Sequence, residues 1–379
     1  MGTTLSGECD AAFRDVEAVF AELFDDPGSG PPEVGAAVAV VHEGRPVVDL
    51  WGGAADAAGR PWERDTIVCV FSCTKAMAAL SAHRLADRGL LDYDEPVARY
   101  WPEFAQGGKG DVTVRQLMSN QAGLPALRNP MPPGAVFDHR AVADALAAEE
   151  PFWEPGTAHG YHTLTYGNLV GEVVRRIDGR DLGAFFDAEI ARPLGAEFLI
   201  GVAPEHDAHV AELVHAPGTR PGAAVDPMTL TTLDPFLLEP PLANSRPWRA
   251  AQIAAANGHG NARALARIYG ALAQGGAVDG VTLLSPSTIT LATEPQVRGP
   301  DRTIPDVVTE YALGFFTSGS DLARGYGPRA FGHGGAYGSL GLADPETGIG
   351  FGFVFNQCVE ALSLGRAERL LEAVARALG

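Results

Sequence analysis

Strand patterns gather near the two ends of the chain, with helix patterns between them, and that arrangement constrains the fold most. Residues 35–41 are an unbroken apolar run. A turn at residues 42–45 and a second strand at 46–53 make this a hairpin. Residues 311–317, 330–332, 338–344 and 350–356 read as further strands, and residues 361–378 as a closing helix. Ahead of the hairpin, Phe13, Val16, Val19, Phe20, Leu23 and Phe24 recur at helical spacing over residues 9–25. A Pro- and Gly-rich stretch at 27–32 ends that helix. Helices are expected at 72–88, 112–118, 138–149, 262–273 and 286–294. The two ends then share one antiparallel sheet, and the middle is an inserted helical domain. This is an α/β fold of the α+β type, with residues 1–60 and 285–379 in the sheet domain and 61–284 in a mainly helical one. A cleft between them would hold the site. Residues 203–257 are dense in Pro and Gly and poorly periodic, which suits a lid, a pocket wall or a surface excursion.

One short motif stands where strand becomes helix. Residues 66–71 are apolar and β-rich, and Ser72-Cys73-Thr74-Lys75 follows at the head of a helix. Residues three apart share a helix face, so the Lys75 amine can reach the Ser72 hydroxyl. A serine hydroxyl is a weak nucleophile until a base takes its proton. A lysine can do so when its surroundings keep it neutral. The helix N-terminus adds N–H groups where an oxyanion would form. Lys75 and Lys109 are the only lysines, and of 12 serines only Ser72 has a lysine three residues on. Chance would produce about 0.06 such pairs, a base rate that makes the motif a hypothesis of catalysis. The plain alternative is a buried serine beside a surface lysine. Cys73 offers a rival thiol nucleophile, and a small buried core residue is the simpler role for it.

Composition excludes several function classes. A net charge of −19 disfavours nucleic acid and anionic membrane as partners. The four cysteines show neither CxxC nor His/Cys metal spacing. A metal site is therefore not expected, and the thiols suit a reducing compartment. No basic-then-apolar leader opens the sequence and no apolar run spans a bilayer, so the expected location is cytoplasmic.

Two further stretches carry polar groups on turns. Tyr161, with His159 and His162 beside it, follows a Pro-Gly turn and precedes a helix. A phenol beside a protonated lysine can have a lowered pKa and share a base's work. Taken singly, all three read as satisfied core residues. His333-Gly334-Gly335-Ala336 heads a glycine-dense strand, which marks close approach of a ligand or a neighbouring strand. His333 could donate a hydrogen bond or tune Lys75, or be structural.

In order and rough spacing, Ser72-Cys73-Thr74-Lys75, Tyr161-His162-Thr163 and His333-Gly334-Gly335 resemble the three motifs of the serine β-lactamase and penicillin-binding superfamily. The resemblance is strongest to its class C-like branch and, within that, to the family VIII carboxylesterases. Residues 113–119, 257–263 and 338–345 support it, and it spans residues 34–378 apart from about 203–250. It implies a β-lactamase/transpeptidase-like fold and a Ser72 nucleophile with Lys75 and Tyr161 as its base pair. The N–H groups of Ser72 and Ala336 would form the oxyanion hole beside His333, Gly334 and Gly335. It implies no cofactor. Two positions depart from the pattern: Thr163 replaces a common Asn, and His333 replaces a Lys that would hold a substrate carboxylate. An unperturbed histidine is mostly neutral at pH 7. A small neutral ester therefore fits better than a β-lactam or D-alanyl peptide. The Gly-x-Ser-x-Gly elbow of α/β-hydrolases is missing. The expected function is a serine carboxylesterase. Acyl transfer, β-lactamase or D-amino-acid peptidase activity, and a silent binding module on the same fold are the alternatives.

Overall fold

The computed structural model describes residues 3–25, 31–215, 240–359 and 364–379. Its main sheet contains β1 (Leu5–Cys9), β2 (Gly35–His42), β3 (Arg45–Gly53), β4 (Val297–Pro300) and β5 (Val308–Tyr311). It continues with β6 (Phe316–Thr317), β7 (Phe331–Gly334), β8 (Leu340–Asp344) and β9 (Ile349–Phe355). The lateral order is β1-β3-β2-β9-β8-β7-β6-β5-β4, every pair antiparallel. The two ends of the chain meet at β2 and β9, with Ile349 opposite His42 and Phe355 opposite Ala36.

β9 is buried throughout and β2 nearly so. Strands apolar on both faces need cover on both sides, and alternation along β9 shows how each face is covered. Gly350 and Gly352 lie under helix α4 (Ala262–Ala273), where a Cβ on either would sit 2.2 Å from that helix's backbone. Phe351, Phe353 and Phe355 point the other way. There the closing helix α5 (Gly365–Leu378) lays Arg366 over the Phe355 ring at 4.1 Å. Helix α1 (Arg14–Glu22) packs against α5. The sequence division at residue 284 places α4 in the helical domain, whereas α4 packs on the sheet.

The helical half centres on α2 (Cys73–Asp87), whose residues from Cys73 to His83 are all buried. A helix buried on every side belongs at the middle of a layer, and α2 lies between α3 (Thr165–Asp178) and the β7 end of the sheet. A small sheet of residues Val68–Cys69, Gly258–Gly260 and Phe198–Ile200 leads into it.

Several boundaries differ from the sequence reading. The expected helix over 9–25 is shorter, and residues 5–9 form an edge strand beside β3, where Gly7 has φ +115° and a Cβ would strike the Asp49 carbonyl. Residues 311–317 are the turn of a hairpin, β5 to β6, rather than one strand. β4 was not expected at all; its exposed edge position needs little apolar patterning. Within residues 203–257, the described part contains short helical turns at Pro204–His209, Pro240–Ala243 and Arg246–Ala250. The rest of that stretch lies outside the described residues, as do residues 361–363 of the expected closing helix.

One buried ion pair ties the ends together. Arg366 pairs with Glu33 and donates to the Tyr337 carbonyl at 2.9 Å. Burial pushes the Glu33 carboxyl up to about 7 against the pull of Arg366, and its second oxygen has no partner. Removing one member of such a pair strands the other, at a cost of about 3–5 kcal/mol. Arg366→Met should lose that much in urea denaturation at pH 8. The loss should shrink at pH 5: a carboxyl whose folded pKa is raised destabilises the fold only once pH climbs past its unfolded value and it must ionise in the interior. An equal loss at both pH values would count against this account.

Candidate active site

Ser72 is presented by a strained turn. Val70 ends the small sheet, its N–H donating to Gly258 at 2.9 Å. Phe71 then takes φ +45°, left-handed backbone that L residues rarely adopt. Its ring is braced against Tyr337, centroids 5.4 Å apart, and Tyr337 itself has φ +69°. The kink puts Ser72 at the N-cap of α2 without a capping bond from its side chain. An N-cap serine ordinarily spends its oxygen on the helix, so here Ser72 Oγ is left for other partners.

Lys75, one turn on, is 1 % exposed. Its Nζ lies 3.1 Å from Ser72 Oγ, 2.7 Å from the Thr163 carbonyl and 3.0 Å from the Ala255 carbonyl. Burial lowers its pKa well below the usual 10.5. A neutral amine has two N–H groups and one lone pair. Carbonyls only accept, so in the neutral form both N–H groups go to Thr163 and Ala255 and the lone pair faces the Ser72 hydroxyl. The helix spacing set the Ser-Lys meeting, and loops 88 and 180 residues away set the direction of the lone pair.

Tyr161 stands half-buried beside Lys75, close enough to Ser72 for that side chain to act on its phenol. Its ring lies 4.5 Å from Lys75 Nζ and stacks toward Tyr311, Phe316 and His333. Contrary to the expectation of a lowered phenol pKa, burial raises it, with the Asp301 charge acting in the same direction. The expectation assumed a protonated lysine neighbour, a form that burial disfavours. His333 comes to the same site at the end of β7. Its Nδ1 donates to the Gly334 carbonyl at 2.7 Å, and burial pushes its pKa down to about 3, so the ring is neutral.

Gly334, Gly335 and Ala336 form the opposite lip. Gly335 N–H donates to the Ser339 carbonyl at 2.7 Å. A Cβ on Gly335 would lie 2.2 Å from the Val70 carbonyl, so the close approach is to the strand that carries Ser72. This packing brings the turn at Ala336 against the head of α2. Cys73 faces away: its Sγ lies 3.1 Å from the His333 carbonyl, and burial pushes the thiol up to about 12. His162 is a neutral core histidine that donates from Nδ1 to Gly160 and accepts from the Leu124 N–H. Among the described residues no three His, Cys, Asp or Glu side chains are grouped to hold a metal.

Sequence reasoning missed Phe71, Asn120, Ala255 and Asp301. Ala255 acts through its carbonyl, which carries no side-chain signal. Asn120 sits in the 119–125 loop between helices, and Asp301 begins an Asx turn, with Oδ1 accepting from the Thr303 N–H. Neither signal says which loop it meets.

The beta-lactamase family profile matches residues 20–375. The esterase/beta-lactamase LipL of Mycobacterium tuberculosis (strain ATCC 25618 / H37Rv) is 38% identical over 374 residues, covering 95% of this chain and 85% of LipL. A family VIII carboxylesterase crystal structure superposes with a TM-score of 0.91 at 40% identity, over 99% of this chain and 100% of that one. A penicillin-binding protein homolog from Caulobacter crescentus gives 0.89 at 40% identity with the same coverage. The profile match and these full-length relatives agree with the arrangement around Ser72: the chain belongs to the beta-lactamase family and has its β-lactamase/transpeptidase-like fold.

Proposed function

We propose that this protein is a serine carboxylesterase that works through an acyl-enzyme on Ser72. The observation that carries the reading is the buried Lys75 amine, 3.1 Å from Ser72 Oγ and held by two carbonyls, with burial lowering its pKa well below 10.5. Lys75 takes the hydroxyl proton as Oγ attacks the acyl carbon. The N–H groups of Ser72 and Ala336 receive the developing oxyanion. The proton passes to the leaving alcohol oxygen through Tyr161, whose raised pKa keeps it a phenol that relays a proton rather than a standing phenolate. A water molecule then enters, gives its proton to the same pair, and releases the acid.

The neutral His333 supports an ester over a β-lactam. No permanent cation stands at that position to hold a carboxylate, so a substrate needs no negative charge to be recognised there. The relatives named as an esterase/beta-lactamase and a family VIII carboxylesterase point the same way. We also place the protein in the cytoplasm, on the strength of its four free thiols. No described helix is long and apolar enough to cross a membrane.

The test is a panel of p-nitrophenyl esters and a chromogenic cephalosporin, with turnover and intact mass followed together. Ester turnover should fall by at least about 10⁴-fold in Ser72→Ala, as nucleophile removal does in other serine hydrolases. Cephalosporin hydrolysis should be weak in the wild type. An adduct that persists until an alcohol or amine is added would turn the reading to acyl transfer. Turnover that survives Ser72→Ala would refute it.

A further inference from the structure

Tyr161 sits on a loop, yet its phenol must hold its place beside Ser72 through both halves of the reaction. The three consecutive N–H groups of Gly160, Tyr161 and His162 are all taken up. Gly160 donates to the Asn120 carbonyl at 3.1 Å and His162 to Asn120 Oδ1 at 3.1 Å. Between them, Tyr161 donates to Asp301 Oδ1 at 3.0 Å. One side of the loop is thus fastened to Asn120 and its central residue to a carboxylate 140 positions away.

Asp301 does more than accept that bond. It is 7 % exposed. Oδ1 also takes the N–H groups of Thr303 and Ile304 and the Thr303 hydroxyl. Oδ2 takes the Thr309 hydroxyl at 2.9 Å and the Tyr311 hydroxyl at 2.8 Å. Tyr311 in turn stacks on Tyr161, with ring planes 5° apart and centroids 6.5 Å apart. A buried carboxylate is costly unless its oxygens are satisfied. Here the donors come from the β4–β5 turn, from β5 and from the Tyr161 loop. A single side chain therefore fixes both the backbone of Tyr161 and the ring that backs it.

We propose that Asp301 is the positioning residue for Tyr161: it holds the phenol at proton-transfer distance from Ser72 and takes no part in the chemistry itself. The proposal rests on the acyl-enzyme reading above. A displacement of about 1 Å in a reacting group can cost about 10²-fold in rate. Asp301→Ala should therefore lower kcat for p-nitrophenyl acetate by at least about 30-fold and change KM by less than about threefold. Asp301→Asn should recover most of the loss. Its amide oxygen still accepts from the Tyr161 N–H, and the Thr309 and Tyr311 hydroxyls can rotate to accept from its NH₂. Asp301→Glu keeps the charge but moves the carboxylate by a methylene, and should stay at least about tenfold down.

The deciding readout is a double-mutant cycle with Tyr161→Phe. If Asp301 acts through the phenol, Asp301→Ala costs nothing further once the phenol is gone. A loss that persists in full in the Tyr161→Phe background marks a general structural role and overturns the proposal. Wild-type kcat in folded Asp301→Ala overturns it as well. If Asp301→Ala does not fold, the comparison of Asn with Glu decides: Asn above Glu in kcat supports positioning, and equal rates overturn it. Ser72→Ala separates the two levels of argument. An inactive Ser72→Ala beside an unaffected Asp301→Ala sinks only the clamp, whereas an active Ser72→Ala sinks the acyl-enzyme reading beneath it.

Discussion

Lys75→Met should lower kcat/KM for an activated ester by at least about 10³-fold while leaving the fold intact, the upper range of what a positioned general base supplies. Methionine matches the length and apolar stem of lysine in a site that is 1 % exposed. What it lacks is the lone pair aimed at Ser72 Oγ. The same geometry sets the pH dependence of the wild type. In the proposed mechanism Lys75 works only as the free amine, so kcat/KM should fall as pH is lowered through the folded pKa of Lys75 and the amine gains its proton. Burial lowers that pKa well below 10.5, so the midpoint should lie well below the ordinary lysine range. His333 should add no limb near neutrality, because burial holds it near 3 and the ring stays neutral throughout. Stopped-flow acylation across pH would check both points. A limb centred on 10.5, or a Lys75→Met enzyme with near wild-type rate, would remove Lys75 as the base.

The second large effect is expected at Gly335. Its φ of −102° is open to any residue, so the demand for glycine there is steric rather than conformational. A Cβ would meet the Val70 carbonyl at 2.2 Å and Ser339 Oγ at 2.3 Å. Neither neighbour can yield cheaply. Val70 is held to Gly258 by its N–H, and Ser339 Oγ donates to that same Val70 carbonyl at 3.1 Å. Gly335→Ala should therefore push the turn carrying Ala336 away from the head of α2. The expected cost is about 1–3 kcal/mol in stability and at least about 10²-fold in kcat. The catalytic loss should exceed what the stability loss accounts for at a temperature where the variant is fully folded. Denaturation curves beside steady-state kinetics separate the two. Gly334→Ala is the control: its Cβ would meet the flexible end of Leu364 at 3.2 Å and the Ser339 carbonyl at an ordinary 3.8 Å, and it should cost far less on both measures.

These effects also show where sequence reasoning stopped. Helical spacing was enough to put Lys75 on the Ser72 face, because three residues make nearly one turn whatever surrounds the helix. Short apolar runs were enough to give β2, β8 and β9 and to join the chain ends in one sheet. β1 and β4 escaped because edge strands, exposed on one side, need no buried pattern. The family resemblance supplied Tyr161, which alone read as a core residue, and the His333 lip, which alone stayed open between a functional and a structural role, as candidates.

What the sequence determined by itself is local: the Ser-x-x-Lys face, the strand-to-helix junction before it, the buried central strands and the glycines that let α4 and Val70 come close. What only the tertiary structure decided is the state of the groups so assembled. Burial lowers the Lys75 pKa because loops around Thr163 and Ala255 close over it. Tyr161 titrates upward rather than downward because its phenol is desolvated in the site, with the Asp301 charge acting in the same direction. The physical reason is that spacing along a helix depends on backbone geometry, whereas protonation depends on how much water is removed and which distant atoms replace it. Those atoms are brought together by the fold, and no run of neighbouring residues encodes them.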